Sequence, residues 1–169
     1  MTRWAPNLYR KEGIRRSVPE TIINSALQQA HVLQNSGLPA VLTLGHLAFH
    51  TDTPYSFLRK TVARKITPYR KFSIKKRSGG KRYINAPLHN LLIVQQWINK
   101  FVLSKIPTSP YSYAFSQGQS IVKCAQQHLG CNWLIKIDLR HFFESLSEIQ
   151  VYHVFLNAGY GPLISFEMS

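Results

Sequence analysis

Tyr69-Arg-Lys-Phe-Ser-Ile-Lys-Lys-Arg-Ser-Gly-Gly-Lys-Arg-Tyr-Ile-Asn85 is where the hydrophobic period of the chain changes from about 3.6 residues to 2. Residues 69–74 and 81–85 alternate cations with aromatic and branched side chains, as short strands do. Gly79-Gly80 supplies the positive φ that a tight turn needs, so the segment reads as a β-hairpin with a cationic tip. Helical spacing flanks it on both sides. Ser17-Val18-Pro19-Glu20 predicts a capped helix start, Ile22 to Leu33 carry an apolar stripe, and Gly37 ends it. The first 16 residues read as basic and irregular. Leu38 to His50 predicts a short buried helix, Thr53-Pro54 opens another, and residues 88–106 form a long amphipathic one broken by Pro107. Residues 119–129 return to helical spacing, and Ser147-Glu148-Ile149-Gln150 predicts a second capping box before a helix stopped at Gly159. Asn132-Trp-Leu-Ile-Lys-Ile-Asp138 is nearly continuous in apolar residues and reads as a buried strand ending on a carboxylate. The fold class is α+β.

The 169 residues carry 21 Lys and Arg against 7 Asp and Glu, for a net charge of +14. Between Asp52 and Asp138 lie 85 residues with 15 of those cations and no acid. A folded segment so charged repels itself unless a polyanion lies against it, which points to nucleic acid; an anionic membrane is the rival. With 44% hydrophobic residues the chain can build a core, and a disordered basic tail is excluded. No apolar run approaches the ~20 residues of a membrane span. Met1-Thr-Arg-Trp-Ala-Pro6 lacks the apolar stretch of a secretory signal. Cys124, His128 and Cys131 have no fourth ligand for zinc, so the cysteines read as buried reduced thiols of a cytoplasmic protein.

Asp138 sits where open α/β sheets present their ligands, and it suits a hard cation; a strand-end carboxylate capping its own turn is the plainer alternative. Lys75, Lys76, Arg77, Lys81 and Arg82 around the Gly-Gly turn suit either a triphosphate or non-specific contact with a nucleic-acid backbone. One of Phe142 and Phe143 is expected to line a site. Tyr111, Tyr113 and Phe115 suit base stacking or core packing, and Trp97 and Trp133 read as core.

The order of these pieces carries more than each piece. Lys-Lys-Arg-x-Gly-Gly-Lys-Arg is followed by Ile-Asn-Ala-Pro and a helix containing Gln95, then Tyr-Ala-Phe-x-x-Gly-x-Ser-Ile at 113–121 and Ile-Lys-Ile-Asp-Leu-x-x-Phe-Phe-x-Ser-Leu at 135–146. In that order they resemble the amino-terminal part of bacterial reverse transcriptases of the retron and group II intron type, from about Leu42 to Tyr160. The resemblance implies an amino-terminal extension over 1–40, a fingers subdomain over 41–130 and the start of a palm over 131–169, an incomplete right-hand polymerase fold. It implies an RNA-directed DNA polymerase using Mg²⁺, deoxynucleoside triphosphates and a structured non-coding RNA as template or primer for nascent DNA, often in phage defence with an effector protein. Asp138 would be the first metal-binding carboxylate, assisted by the Leu139 carbonyl. Lys75 or Lys76 with Arg82 would hold the triphosphate, and Phe143 would exclude a ribose 2′-hydroxyl. Gln117, Gly118, Gln119 and Ser120 would follow the template. The family's Tyr-x-Asp-Asp motif does not occur in these residues. Because two-metal chemistry needs carboxylates converging on ions ~3.5–4 Å apart, the 169 residues alone are expected to be inactive. The alternative is a non-catalytic RNA-binding module built on the fingers surface.

Overall fold

A computed structural model describes residues 5–77, 79–114 and 118–169. Its elements are α1 (Pro6–Arg15), α2 (Glu20–Asn35), α3 (Leu44–Thr51), α4 (Tyr55–Val62), β1 (Tyr69–Lys75), β2 (Lys81–Pro87), α5 (His89–Phe101), a 3₁₀ turn (Leu103–Lys105), α6 (Ile121–Gln126), α7 (Phe142–Ser145), α8 (Glu148–Asn157) and α9 (Pro162–Met168). Mixed helix and strand agrees with the α+β class. Among the described residues no helix is long and apolar enough to cross a membrane.

The basic amino terminus is a helix, not the irregular segment expected. Pro6 presets the first turn, and Glu12 accepts from Arg15 (2.6 and 2.7 Å) and Arg16 (2.5 Å). Those bonds, Arg15 foremost, hold the Glu12 carboxyl at about 2. The first capping box does not form. Ser17 takes φ +56°, the helix opens at Pro19, and Glu20 is engaged by Arg10 at 3.2 Å. At the other end of α2 the expectation holds. Gly37 at φ +71° lets the Leu38 N–H reach the Leu33 carbonyl at 2.9 Å, closing a Schellman motif. The next helix starts later than expected, at Leu44, because the Thr43 hydroxyl accepts from the His46 N–H.

One apolar core joins elements far apart in the chain. Leu33 of α2, Leu38 and Val41, Leu44 and Leu47 of α3, Leu58 of α4, and Val94 and Ile98 of α5 pack with Phe155 of α8 and Ile164 of α9. Burial of each such side chain contributes about 1.5–3 kcal/mol. The second capping box forms as expected, with the Ser147 hydroxyl accepting from the Gln150 N–H at 3.3 Å and Gln150 reaching back to the Ser147 N–H at 2.7 Å. Gly159 at φ +102° then turns the chain so that Tyr160 enters the core and donates its hydroxyl to the Pro39 carbonyl at 3.1 Å.

The strand expected over 132–138 is absent. These residues have no regular secondary structure, and Trp133, Ile135 and Ile137 stay 69–78% exposed. A strand's hydrogen bonds are all made with neighbours, and the one sheet among the described residues is the β1–β2 pair. Trp133 is therefore not a core residue here, and Cys131 is exposed rather than buried. Trp97 behaves as expected, packing at the core's edge.

Candidate nucleotide-binding cleft

Alternation along the hairpin assigns its side chains to two faces. The antiparallel register pairs Lys75 with Lys81, Ser73 with Tyr83 and Lys71 with Asn85 on one face. It pairs Ile74 with Arg82, Phe72 with Ile84 and Arg70 with Ala86 on the other. At the tip, Gly79 and Gly80 both take positive φ, and the Lys76 N–H donates to the Gly80 carbonyl at 3.1 Å. The base is fixed to α5, since the Gln95 side-chain amide donates to the Tyr69 hydroxyl at 3.0 Å. The ribbon therefore stands on the helical body while its cations reach beyond it.

The opposite wall is built by a turn. After Asp138 and Leu139 the chain reverses at His141, at φ +54°, and enters the four-residue α7. Because Phe142 and Phe143 lie on a helix rather than a strand, both border the cleft, edge to face at 5.4 Å. The Glu144 carboxylate lies 3.7 Å from the His141 ring.

These two walls enclose an open cleft of about 1350 Å³. Lys75, Lys76 and Arg82 line it from the hairpin, and Asp138, Leu139 and Phe143 from the other side. Six residues singled out in the sequence thus meet in one place. Gly118, Gln119 and Ser120 do not line it. Ser120 caps α6 by accepting from the Lys123 N–H at 3.2 Å, and the Gly118 carbonyl accepts from the Lys123 ammonium. Gln117 lies outside the described residues. The sequence reading missed Glu144 as a cleft residue, because the left-handed turn that returns it carries no composition signal.

Chemically, the cleft opposes four Lys and Arg side chains at the hairpin tip, and Arg82, to the carboxylates of Asp138 and Glu144. Asp138 makes no hydrogen bond or ion pair among the described residues, so its oxygens are open to a ligand. Its carboxylate and the Leu139 carbonyl are hard oxygen donors of the kind Mg²⁺ takes. They do not complete a metal centre: no group of three His, Cys, Asp or Glu converges among the described residues. A second cavity, about 780 Å³, opens between α1, α3 and α5. Tyr9, His46, Phe49, His50 and Phe101 line it, it shares no residue with the cleft, and it holds none of the sequence-predicted site. Burial lowers the titration of both His46 and His50 below the ordinary imidazole value.

The chain is 35% identical over 135 residues, 79% of its length, to the Retron Ec86 reverse transcriptase of Escherichia coli. It is also 35% identical over 97 residues, 57% of its length, to the Retron Mx65 reverse transcriptase of Myxococcus xanthus, and 36% identical over 87 residues to the Retron Ec73 reverse transcriptase of Escherichia coli. The matches cover 42%, 23% and 28% of those proteins, so the chain spans less than half the length of the curated relatives it matches. No protein-family model matches it.

Proposed function

This chain is a homologue of the retron reverse transcriptases, and on that footing we propose that it forms the incoming-nucleotide side of an RNA-directed DNA polymerase. The reading is carried by one observation, the cleft that sets Lys76 and Arg82 across from Asp138, Leu139 and Phe143. On this reading residues 41–130 are the fingers and 131–169 open the palm.

Each residue's role follows from its chemistry. Arg82 presents a planar fork suited to phosphate oxygens, and the ammonium of Lys75 or Lys76 adds a point charge beside the turn. These cations favour the triphosphate and oppose the charge that builds as the leaving pyrophosphate departs. Asp138 and the Leu139 carbonyl would hold Mg²⁺, which when bound would supply charge neutralisation at the reacting phosphate. Phe143 forms the floor against which the sugar rests, where an apolar ring leaves no room or partner for a 2′-hydroxyl. Gln117 to Ser120 guide the template. The 169 residues by themselves are inactive, since Asp138 alone cannot hold two ions. The whole protein works in the cytoplasm on a structured non-coding RNA, with an effector protein in a phage-defence setting.

Primer extension by the full-length protein tests the assignment. Asp138→Asn, which keeps shape and removes charge, is expected to lower the rate by at least about a hundredfold, as loss of a transition-state electrostatic group does. Synthesis at the wild-type rate would remove Asp138 from the site. The second reading is a non-catalytic RNA-binding module, which the cationic hairpin also suits because Lys and Arg can meet a nucleic-acid backbone without any reacting group. It predicts RNA binding with no extension by the full-length wild-type protein.

A further inference from the structure

The cavity between α1, α3 and α5 lies apart from the nucleotide cleft and has a chemistry of its own. At about 780 Å³ it has the size of a small-molecule site. Its wall is a belt of rings. Tyr9 meets His46 edge to face at 6.1 Å, and Phe49 meets His50 in the same way at 5.8 Å. His50 stacks on Trp97 at 5.3 Å, and Trp97 leans on Phe101 at 5.3 Å. Phe49 borders the cavity yet keeps 68% of its surface in water, which leaves apolar area for a ligand to cover. Charge along this wall is sparse and mostly compensated. Glu12 already accepts from Arg15 and Arg16, which hold its carboxyl at about 2. Burial pushes His46 and His50 below the ordinary imidazole value, so neither adds charge near neutral pH. Lys105, on the 3₁₀ turn that follows α5, also lines the cavity and makes no ion pair among the described residues. The wall therefore offers flat rings and one uncompensated cation.

We propose that this cavity binds a small planar aromatic carboxylate, its ring system against Tyr9, Phe49 and Phe101 and its carboxylate at the Lys105 ammonium. Ring-lined walls favour a flat ligand, because aromatic pairs gain from offset-stacked and edge-to-face contact beyond the area they bury. An aliphatic acid fills the same space without that gain. A neutral ring leaves the Lys105 charge unmatched, and a polyanion such as a triphosphate finds a single open cation with the Glu12 carboxylate nearby. The site does not depend on the polymerase reading, because no residue of the cleft takes part in it.

The test is saturation-transfer NMR of the purified protein titrated with 2-naphthoate, 2-naphthamide and decahydro-2-naphthoate, which separates the effect of charge from that of flatness. The expected Kd for 2-naphthoate is about 1 mM or tighter, with each of the other two at least about threefold weaker. Phe49→Ala is expected to weaken 2-naphthoate about fivefold, and Phe49→Tyr, which keeps a ring, to hold it within about twofold of wild type. Phe49 is mostly exposed, so its truncation should leave the melting temperature unchanged and the fold intact. Lys105→Gln should abolish the preference for 2-naphthoate over 2-naphthamide and leave 2-naphthamide binding as it was. No transfer to 2-naphthoate, or an affinity unmoved by Phe49→Ala, would overturn the proposal. Equal binding of decahydro-2-naphthoate would show that the chain's cationic excess alone attracts the acid, and would overturn the ring wall as the means of recognition.

Discussion

The helical body and the segment from Gly118 to Gln150 obey opposite rules. In the body, helices from both ends of the chain share a dry core: Leu33, Val41, Leu47, Val102, Phe155 and Ile164 are at most 2% exposed. In the segment, among residues 118–150, only Gln119 and Cys124 are even partly buried, and Ile121, Leu129, Trp133 and Ile137 each leave more than three-quarters of their surface in water. Yet Asp138 and Phe143 belong to the segment. The body supplies the stability, and the candidate site residues sit on chain that little else holds. Binding chemistry of this kind commonly lies on weakly packed segments positioned by a rigid scaffold.

The sharpest way to break this comparison is a matched pair of truncations. Leu47→Ala in the body is expected to destabilise by roughly 3 kcal/mol, since it leaves a cavity in a packed core. Ile137→Ala, with 78% of its side chain already exposed, is expected to change stability by less than about 0.5 kcal/mol. Urea unfolding measures both. A large loss in Ile137→Ala would mean that the segment packs in solution.

A smaller effect concerns pH. His46 and His50 titrate low in the folded protein because burial disfavours their cations. Folding is therefore favoured above the unfolded imidazole value near 6.5 and loses this contribution as pH falls through it. Thermal melts should shift downward from pH 7.5 to 5.5. The His46 ring accepts from the Leu42 N–H at 3.2 Å, so His46→Asn keeps an acceptor and should flatten the decline. An equally steep decline in that variant would exclude His46 as a source.

A second pH-dependent change comes from Glu167 in α9. Its side chain is 6% exposed, 3.8 Å from Arg59, and its Oε2 has no partner. Burial raises its titration, opposed by Arg59 and the Leu44 N–H. A raised carboxyl favours the fold at low pH and loses that contribution as pH rises through its folded value. Glu167→Gln removes the buried charge and is expected to raise stability near pH 8 by up to about 1 kcal/mol, and less near pH 4. Destabilisation at pH 8 would show that the Arg59 pair outweighs the burial cost.

Local signals carried most of the helices and the hairpin. Gly37, the Ser147 capping box, Thr53-Pro54 and the alternation of 69–85 each act within a few residues, and the structure has them where the sequence puts them. Ser17 failed as a cap for a non-local reason: Glu20, its expected partner, bonds instead to Arg10 on a helix that composition concealed. The candidate site was legible as residue types in order, but not as a place. Which hairpin residues share a face with Arg82, and that α7 turns Phe143 and Glu144 back toward Asp138, required the register and the left-handed turn at His141.

The sequence by itself determined most of the helices, the ribbon and the cationic excess, because a helix closes its hydrogen bonds internally and a hairpin closes them across one short turn. Only the tertiary structure decided that α8 and α9 return to the core beside α2–α5, and that 132–138 stays outside it. An apolar run becomes a strand only when neighbouring strands accept its backbone, and that condition lies in the rest of the molecule rather than in the run.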